Sequence, residues 1–315
     1  MFQNFADLIT YNLLNLTADT RLAESVNFFI YDVIKILALI FAVVSLIGFV
    51  KTYVNPKKFK ESMSKARFGT GYLAAAIFGA ISPFCSCSSI PLFIGFIKAR
   101  IPLGIAFSFL ITSPLVNEVA FVIMGGLFGW RLAFLYAISG IILGILGGYI
   151  LGLMKMEKHI ILEKVEAKEI DAKTLPKKFN EKLKYAIREG KKTFLKIYPY
   201  VLGGVFIGSL IHGYVPQDFF TEHIGNYKLL SVPIAVIFGI PIYAGCSAVV
   251  PMIFAITKGG IPLGTSLAFM MSIAGLSLPE AIILKRVMAI KLLAAFFAVV
   301  AIGIVIIGFL FNALA

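Results

Sequence analysis

From Leu132 to Met154 no side chain carries a charge, and a helix of that length can cross the hydrocarbon core of a bilayer, which takes about 20 apolar residues. Three more apolar stretches precede it, at 28–50, 70–97 and 101–129. The composition agrees. Of 315 residues, 59% are hydrophobic and 14% charged, where a soluble domain carries about 25% charged. That combination rules out a disordered chain and a conventional water-soluble enzyme. It also speaks against a nucleic-acid binder, since so apolar a chain has no large wet surface to offer. The expectation is an all-α polytopic membrane protein with the lipid bilayer as its first partner.

The net charge of +13 is concentrated. Residues 51–68 hold Lys51, Lys57, Lys58, Lys60, Lys65 and Arg67 against Glu61 alone, and residues 155–196 hold 13 basic and 7 acidic side chains. Both stretches abut apolar spans, so the positive-inside rule makes them cytoplasmic loops of an inner membrane protein. They lack the interleaved aromatics of a nucleic-acid tail. Residues 2–16 are moderately apolar (Phe2, Phe5, Leu8, Ile9, Leu13, Leu16) and read as an interfacial segment. Nothing basic precedes Arg21, so no cleavable signal is expected.

The chain repeats itself at an offset of 160. Residues 91–104 read PLFIGFIKARIPLG and residues 251–264 read PMIFAITKGGIPLG, identical at six of fourteen positions. The same offset pairs Gly48 with Gly208, Pro56 with Pro216, and Phe78-Gly79 with Phe238-Gly239. The expected organisation is an N-terminal segment (1–27), a first membrane unit (28–154), a charged cytoplasmic linker (155–189) and a second membrane unit (190–315). Transporters are often duplicated in this way.

Charge also addresses the relative direction of the halves. The partner of the basic loop 51–68 is 215–228, which holds Asp218, Glu222 and Lys228. The partner of the Trp130-Arg131 turn holds Lys285, Arg286 and Lys291. The asymmetry flips, which favours two inverted repeats, each of three transmembrane helices and one re-entrant helical hairpin. Both termini would then be outside. Eight full crossings in parallel repeats is the alternative.

The hairpins carry the candidate site. The first centres on Ser82-Pro83-Phe84-Cys85-Ser86-Cys87-Ser88-Ser89-Ile90-Pro91, and the second runs from Pro241 through Cys246-Ser247 to Pro251. All three cysteines lie in these two places, and Cys246 aligns with Ser86. Prolines and small polar residues free backbone groups, which at membrane depth are tolerated only inside protein or around a wet cavity. Pro83, Pro91, Pro241 and Pro251 are the candidate hinges. Cys85, Ser86, Cys87, Ser88, Cys246 and Ser247 are the candidate substrate-binding residues, since thiolates suit soft ions and metalloids. A cysteine is also simply a small apolar residue. Three cysteines, with no nearby His or second Cys pair, suit neither structural zinc nor a disulfide framework. No metal or other cofactor is expected.

A second pair of polar breaks follows, Thr112-Ser113-Pro114…Asn117-Glu118 and Ser272…Ser277-Leu278-Pro279-Glu280. Asn117, Glu118 and Glu280 are candidate coupling residues. A carboxylate deep in an apolar span is expensive and functional by default, and proton coupling is the natural role. A neutral acid or an ion pair with Lys98 or Lys258 is the competing reading. Those lysines otherwise read as snorkelling anchors. Gly140, Gly144, Gly148 and Gly152, with Gly204 and Gly208 in the second half, form smooth stripes for close helix packing.

The Cys85-Ser86-Cys87 hairpin with its flanking prolines, the Pro102-Leu103-Gly104 continuation, the Ser113-Pro114…Asn117-Glu118 break and the Cys246 repeat resemble the predicted-permease family that includes YraQ and the ArsP organoarsenical permeases. The resemblance spans nearly the whole chain. It implies a cytoplasmic-membrane permease. Family members studied as arsenic permeases export trivalent organoarsenicals with paired cysteines implicated in recognition, which carried over here are Cys85 and Cys87.

The expected function is therefore secondary transport, not enzymatic catalysis. The solute is a small thiophilic molecule or metalloid, moved by alternating access at the hairpin tips. No G-x-x-x-x-G-K-[ST] motif is present, so energy comes from a gradient or from a partner. A sulfur compound or a soft metal ion is the alternative solute, and an intramembrane thiol oxidoreductase the alternative class. Membership of a larger complex and an oligomeric state stay open.

Overall fold

The computed structural model describes residues 2–14, 17, 20–51, 69–82, 86–99, 101–161, 179–184, 186–188, 191, 195, 198, 202, 206, 230–242, 246–258 and 260–314. For 86–88, 98, 246–248 and much of 21–51 it describes the backbone alone. The described residues are helical. In chain order they form α1 (Phe2–Asp7), a π turn (Leu8–Leu13), α2 (Arg21–Lys51), α3 (Thr70–Ile81), α4 (Ser86–Lys98), α5 (Leu103–Leu115), α6 (Glu118–Phe128) and α7 (Trp130–Leu153). After a 3-10 turn (Glu157–His159) come α8 (Ser231–Gly239), α9 (Cys246–Lys258), α10 (Leu263–Gly275), α11 (Leu278–Leu284) and α12 (Ile290–Leu314).

Among the described residues three helices, Trp130–Leu153, Leu263–Leu284 (taken through its break) and Ile290–Leu314, are long and apolar enough to cross a membrane. A fourth span results if α5 and α6, bent by 43° at their break, count as one. By contrast α3 and α4, with 12 and 13 residues, and α8 and α9, with 9 and 13, are all shorter than one crossing.

The duplication is visible element by element. The pairs α4/α9, α5/α10 and α7/α12 each begin 160 residues apart. Their packing repeats too. A Cβ on Gly79 would meet the Phe109 carbonyl at 3.0 Å, and one on Gly239 would meet the Phe269 carbonyl at 3.1 Å. Gly104 lies against the Gly148 carbonyl, and Gly264 against the Gly308 carbonyl.

Helix α5 is buried along its whole length, and α10 nearly so. A helix apolar on every side belongs inside a bundle. The hydroxyls of α5 do not spoil this. Ser108 donates to the Gly104 carbonyl at 3.2 Å and Thr112 to the Ser108 carbonyl at 2.9 Å. The glycines of α7 let it lie directly on α5. Gly140 faces Val116, Gly144 faces Thr112, Gly148 faces Ser108 and Gly152 faces Gly104. The stripe is an antiparallel seam. Gly204 and Gly208 lie outside the described residues.

Contacts between the halves follow one register. Leu115 touches Gly275, and Leu143 touches Gly303, each residue meeting its own counterpart at offset 160. One turn further along α7, Gly147 faces Val299, one turn earlier on α12. The two helices therefore run in opposite directions. Phe29 lies edge-on to Phe206 of the second half, and Phe49 edge-on to Phe179 of the linker. Across the same interface α6 packs on α9, where Phe128 meets Phe254 edge-on at 5.1 Å, and α4 packs on α11.

At the end of α7 the start of the linker is pinned to the second half. Ile160 bridges Met288, the Ile161 N–H donates to the Val287 carbonyl at 2.9 Å, and the Ala289 N–H to the His159 carbonyl at 2.7 Å. At the other end of the chain, α1 folds back on α2. The Asn27 amide donates to Asp7 at 2.8 Å, and Gln3 donates to Asp7 and to Asn27, each at 2.9 Å. Phe5, Leu8, Leu13 and Leu14 are exposed on this segment.

Candidate functional site

In each half two short helices, α3 and α4 or α8 and α9, precede a broken helix. The first hairpin breaks after Ser82, whose hydroxyl donates to the Gly79 carbonyl at 3.1 Å. Pro83, Phe84 and Cys85 lie outside the described residues, as do Tyr243, Ala244 and Gly245 at the second tip. Ser86 and Cys87 open α4, and Cys246 and Ser247 open α9. The side chains of Ser86, Cys87, Ser88, Cys246 and Ser247 lie outside the description. Pro241 occupies the turn after α8. Pro91 and Pro251 sit inside α4 and α9 and not at their ends. There each removes the N–H that would bond four residues back. The carbonyls at 87 and 247, beside the tips, thus lack their helical donor.

The hairpin is tied to the break differently in the two halves. In the first, the Ser89 and Ser113 hydroxyl oxygens lie 2.6 Å apart, both buried, and join α4 to α5 just ahead of the break. The counterparts of this pair are Val249 and Ile273, both buried. In the second half, the Leu278 N–H at the start of α11 donates to the Ile240 carbonyl at the end of α8, 2.9 Å away. The Ser272 hydroxyl adds a bond to the Val236 carbonyl at 2.6 Å.

Asn117 caps α6. Its side-chain oxygen accepts from the N–H groups of Val119 and Ala120 at 2.9 and 3.3 Å. Glu118 follows in the first turn of α6 and is exposed. Glu280, in the first turn of α11, is 2% exposed. The two carboxylates do not occupy equivalent positions. The counterpart of Glu118 is Leu278, and that of Glu280 is the buried Ala120. Two residues turn a helix by about 200°, so the side chains leave opposite faces.

Two polar contacts were not anticipated from sequence. Ser89 pairs with Ser113, as above. Asn312, near the end of α12, accepts from the N–H groups of Gly264 and Thr265 at 2.7 and 3.2 Å and donates to the Thr265 hydroxyl at 3.1 Å. It caps α10 from another helix. An Asn in an otherwise apolar span was the available signal, since such a group requires a partner. Lys258 lies with its ammonium 4.8 Å from the Phe254 ring centroid, beside the Phe128 contact. Among the described residues no group of three or more His, Cys, Asp or Glu side chains is placed to hold a metal ion.

The family model ArsP_1, described as predicted permease, matches residues 21–313. Among curated relatives, a Streptococcus mutans protein named as a subunit of a two-component membrane permease complex is 28% identical over 206 residues, covering 65% of this chain and 67% of that protein. The UPF0718 protein MJ0584 of Methanocaldococcus jannaschii is 23% identical over 273 residues, covering 69% and 75%. The UPF0718 protein YraQ of Escherichia coli is 24% identical over 255 residues, covering 79% and 69%. No solved structure matches. The family match runs from the start of α2 almost to the end of α12 and takes in both hairpins and both breaks, so the chain belongs to the ArsP_1 family of predicted permeases and is a multi-pass membrane protein.

Proposed function

We propose that the protein is a secondary transporter that carries a small thiophilic solute, with trivalent organoarsenicals first among the candidates. Two inverted repeats, about 28–154 and 190–315, would alternate access to a site at the hairpin tips. The observation that carries this reading is the register between α7 and α12. These are repeat counterparts, yet they pack in opposite directions through Leu143–Gly303 and Gly147–Val299. Counterpart helices that run oppositely imply a two-fold axis across the helices, which is the inverted arrangement of many transporters. The short arms of both hairpins support re-entry over full crossing.

In this reading Cys85, Cys87 and Cys246 supply soft ligands to the solute, with the small hydroxyls of Ser86, Ser88 and Ser247 beside them. The carbonyls freed by Pro91 and Pro251 add polar lining. Glu280, buried at the second break, is the coupling carboxylate, and Asn117 holds the corresponding break in the first half. The basic linker faces the cytoplasm. A relative named as a subunit of a two-component permease complex supports a working partner subunit for this chain as well.

The test is efflux from cells stripped of their arsenic exporters, with the wild type compared with Cys85→Ser, Cys87→Ser and Cys246→Ser. Export that falls to background in the cysteine variants is expected. Unchanged export in all three removes the thiol mechanism. Flux of Cu(I) or a thiol compound in place of the arsenical reassigns the solute and leaves the transporter reading standing.

A further inference from the structure

Among the described residues the backbone pairing between 159–161 and 287–289 has no counterpart in the first half, where α6 and α7 are joined through Gly129. Gly129 has φ 91°, which allows so tight a turn. In the second half the chain unwinds over Lys285–Ala289 instead, and the linker docks on that turn. Ile160 and Met288 are buried beneath the pairing. Above it, the docking gathers cations from two distant segments. Lys155 and Lys158 come from the linker; Lys285, Arg286 and Lys291 come from the turn and the start of α12. All five are exposed, and Glu157 is the acidic residue among them. The opposite end of α7 has Arg131 alone in its first turn.

The same rim carries exposed apolar side chains. Leu153 is 58% exposed, Ile290 63%, and Met154 and Ile161 are exposed beside them. They continue the apolar outer surface of α7 and α12. A cluster of cations directly above a lipid-facing apolar surface complements a molecule with an anionic head and hydrocarbon tails. A soluble protein partner would not need that apolar continuation. We infer that this rim is a binding site for an anionic phospholipid, with its phosphate on the lysines of the clasp and its acyl chains along α7 and α12. The inference needs only the membrane location and not the transport reading.

The full-length protein in a neutral detergent is melted with added phosphatidylglycerol, with phosphatidylcholine, and with soluble glycerol phosphate. Phosphatidylglycerol should raise the melting temperature more than phosphatidylcholine, and salt should shrink the difference. The variant K155Q/K158Q/K285Q/K291Q should lose that difference, and Arg131→Gln should keep it. Equal shifts for the two lipids overturn the site, as does a preference that survives the four substitutions. A shift reproduced by glycerol phosphate overturns the lipid assignment. Should the fourfold variant fail to fold, K285Q/K291Q is read by native mass spectrometry. Phosphatidylglycerol retention equal to that of the wild type then overturns the proposal.

Discussion

Ser89 and Ser113 place their hydroxyls 2.6 Å apart in a buried setting where the second half has Val249 and Ile273. Removing one hydroxyl of a buried pair leaves the other desolvated, at about 1–3 kcal/mol, whereas replacing both with apolar groups is far milder. Ser89→Val and Ser113→Ile should therefore each lower stability by about that amount, and the double variant by less than their sum. Chemical denaturation of the three variants in detergent measures it; strict additivity would show that the pair is not coupled. The carboxylates test function at the same scale. Glu280→Gln should bring gradient-driven flux close to background, and Glu118→Gln should leave it near wild type, because the first side chain is buried at the second break and the second is exposed. Equal loss in a flux assay would mean that both act. Sequence reasoning located both carboxylates beside broken backbone but treated them as corresponding. The offset of 160 already separates them by two positions, and two positions reverse the helix face. The cysteines stand out in the sequence by type and by place, since all three fall at the two proline-bracketed breaks, but their side chains lie outside the described residues. What they bind is not written in their spacing, because a Cys-x-Cys serves several soft ligands.

At the scale of elements, most boundaries could be read from proline, glycine and charge. The break of 70–97 into two arms follows from the Ser82-Pro83 interruption, and the antiparallel packing of α7 on α5 from four glycines one turn apart. The glycines are not equally constrained. A Cβ at Gly148 would meet the Gly104 carbonyl at 2.6 Å and the Ser108 amide nitrogen at 2.7 Å, backbone atoms that cannot rotate away, whereas one at Gly126 meets nothing within 4 Å. Gly148→Ala should then destabilise by about 1–3 kcal/mol through overpacking. Gly126→Ala should be neutral or slightly stabilising, since it trades a helical glycine for alanine. Melting temperatures decide this, and equal effects would show that the seam yields. The second half solves the same problem differently. Gly152 corresponds to Asn312, which fills the space and caps α10. Asn312→Ala should cost about 0.5–2 kcal/mol, the usual range for a lost cap. The docking of the linker on the α11–α12 turn was not legible. It depends on two backbone segments more than a hundred residues apart, and an isolated bridge has no sequence pattern of its own.

For the whole molecule, the inverted reading began as a contrast of loop charges, and the packing now supplies an independent geometric reason for it. If the repeats were parallel, α7 and α12 would share a direction, and the end of α7 would lie far from the start of α12. Instead the segment that follows α7 pairs with the residues before α12, through Ile160 and Met288. On this packing Lys158 and Lys285 should lie on one side of the membrane, and Arg131, at the other end of α7, on the opposite side. Single cysteines at these positions, in a background with Cys85, Cys87 and Cys246 changed to serine, make this measurable. A membrane-impermeant maleimide applied to intact cells and to inverted vesicles should label 158 and 285 from the same side and 131 from the other. By the positive-inside rule the side shared by the first two should be the cytoplasmic one. Thiol pairs at 143/303 and at 147/299 should be joined by a short bifunctional reagent, and a pair at 147/307 should not. The last pair is the neighbour that a parallel arrangement would create, so its cross-linking, without that of 147/299, would replace the inverted repeat by a parallel one. In that case the hairpin tips would no longer be related across the membrane, and alternating access by exchange of the two repeats would lose its structural basis.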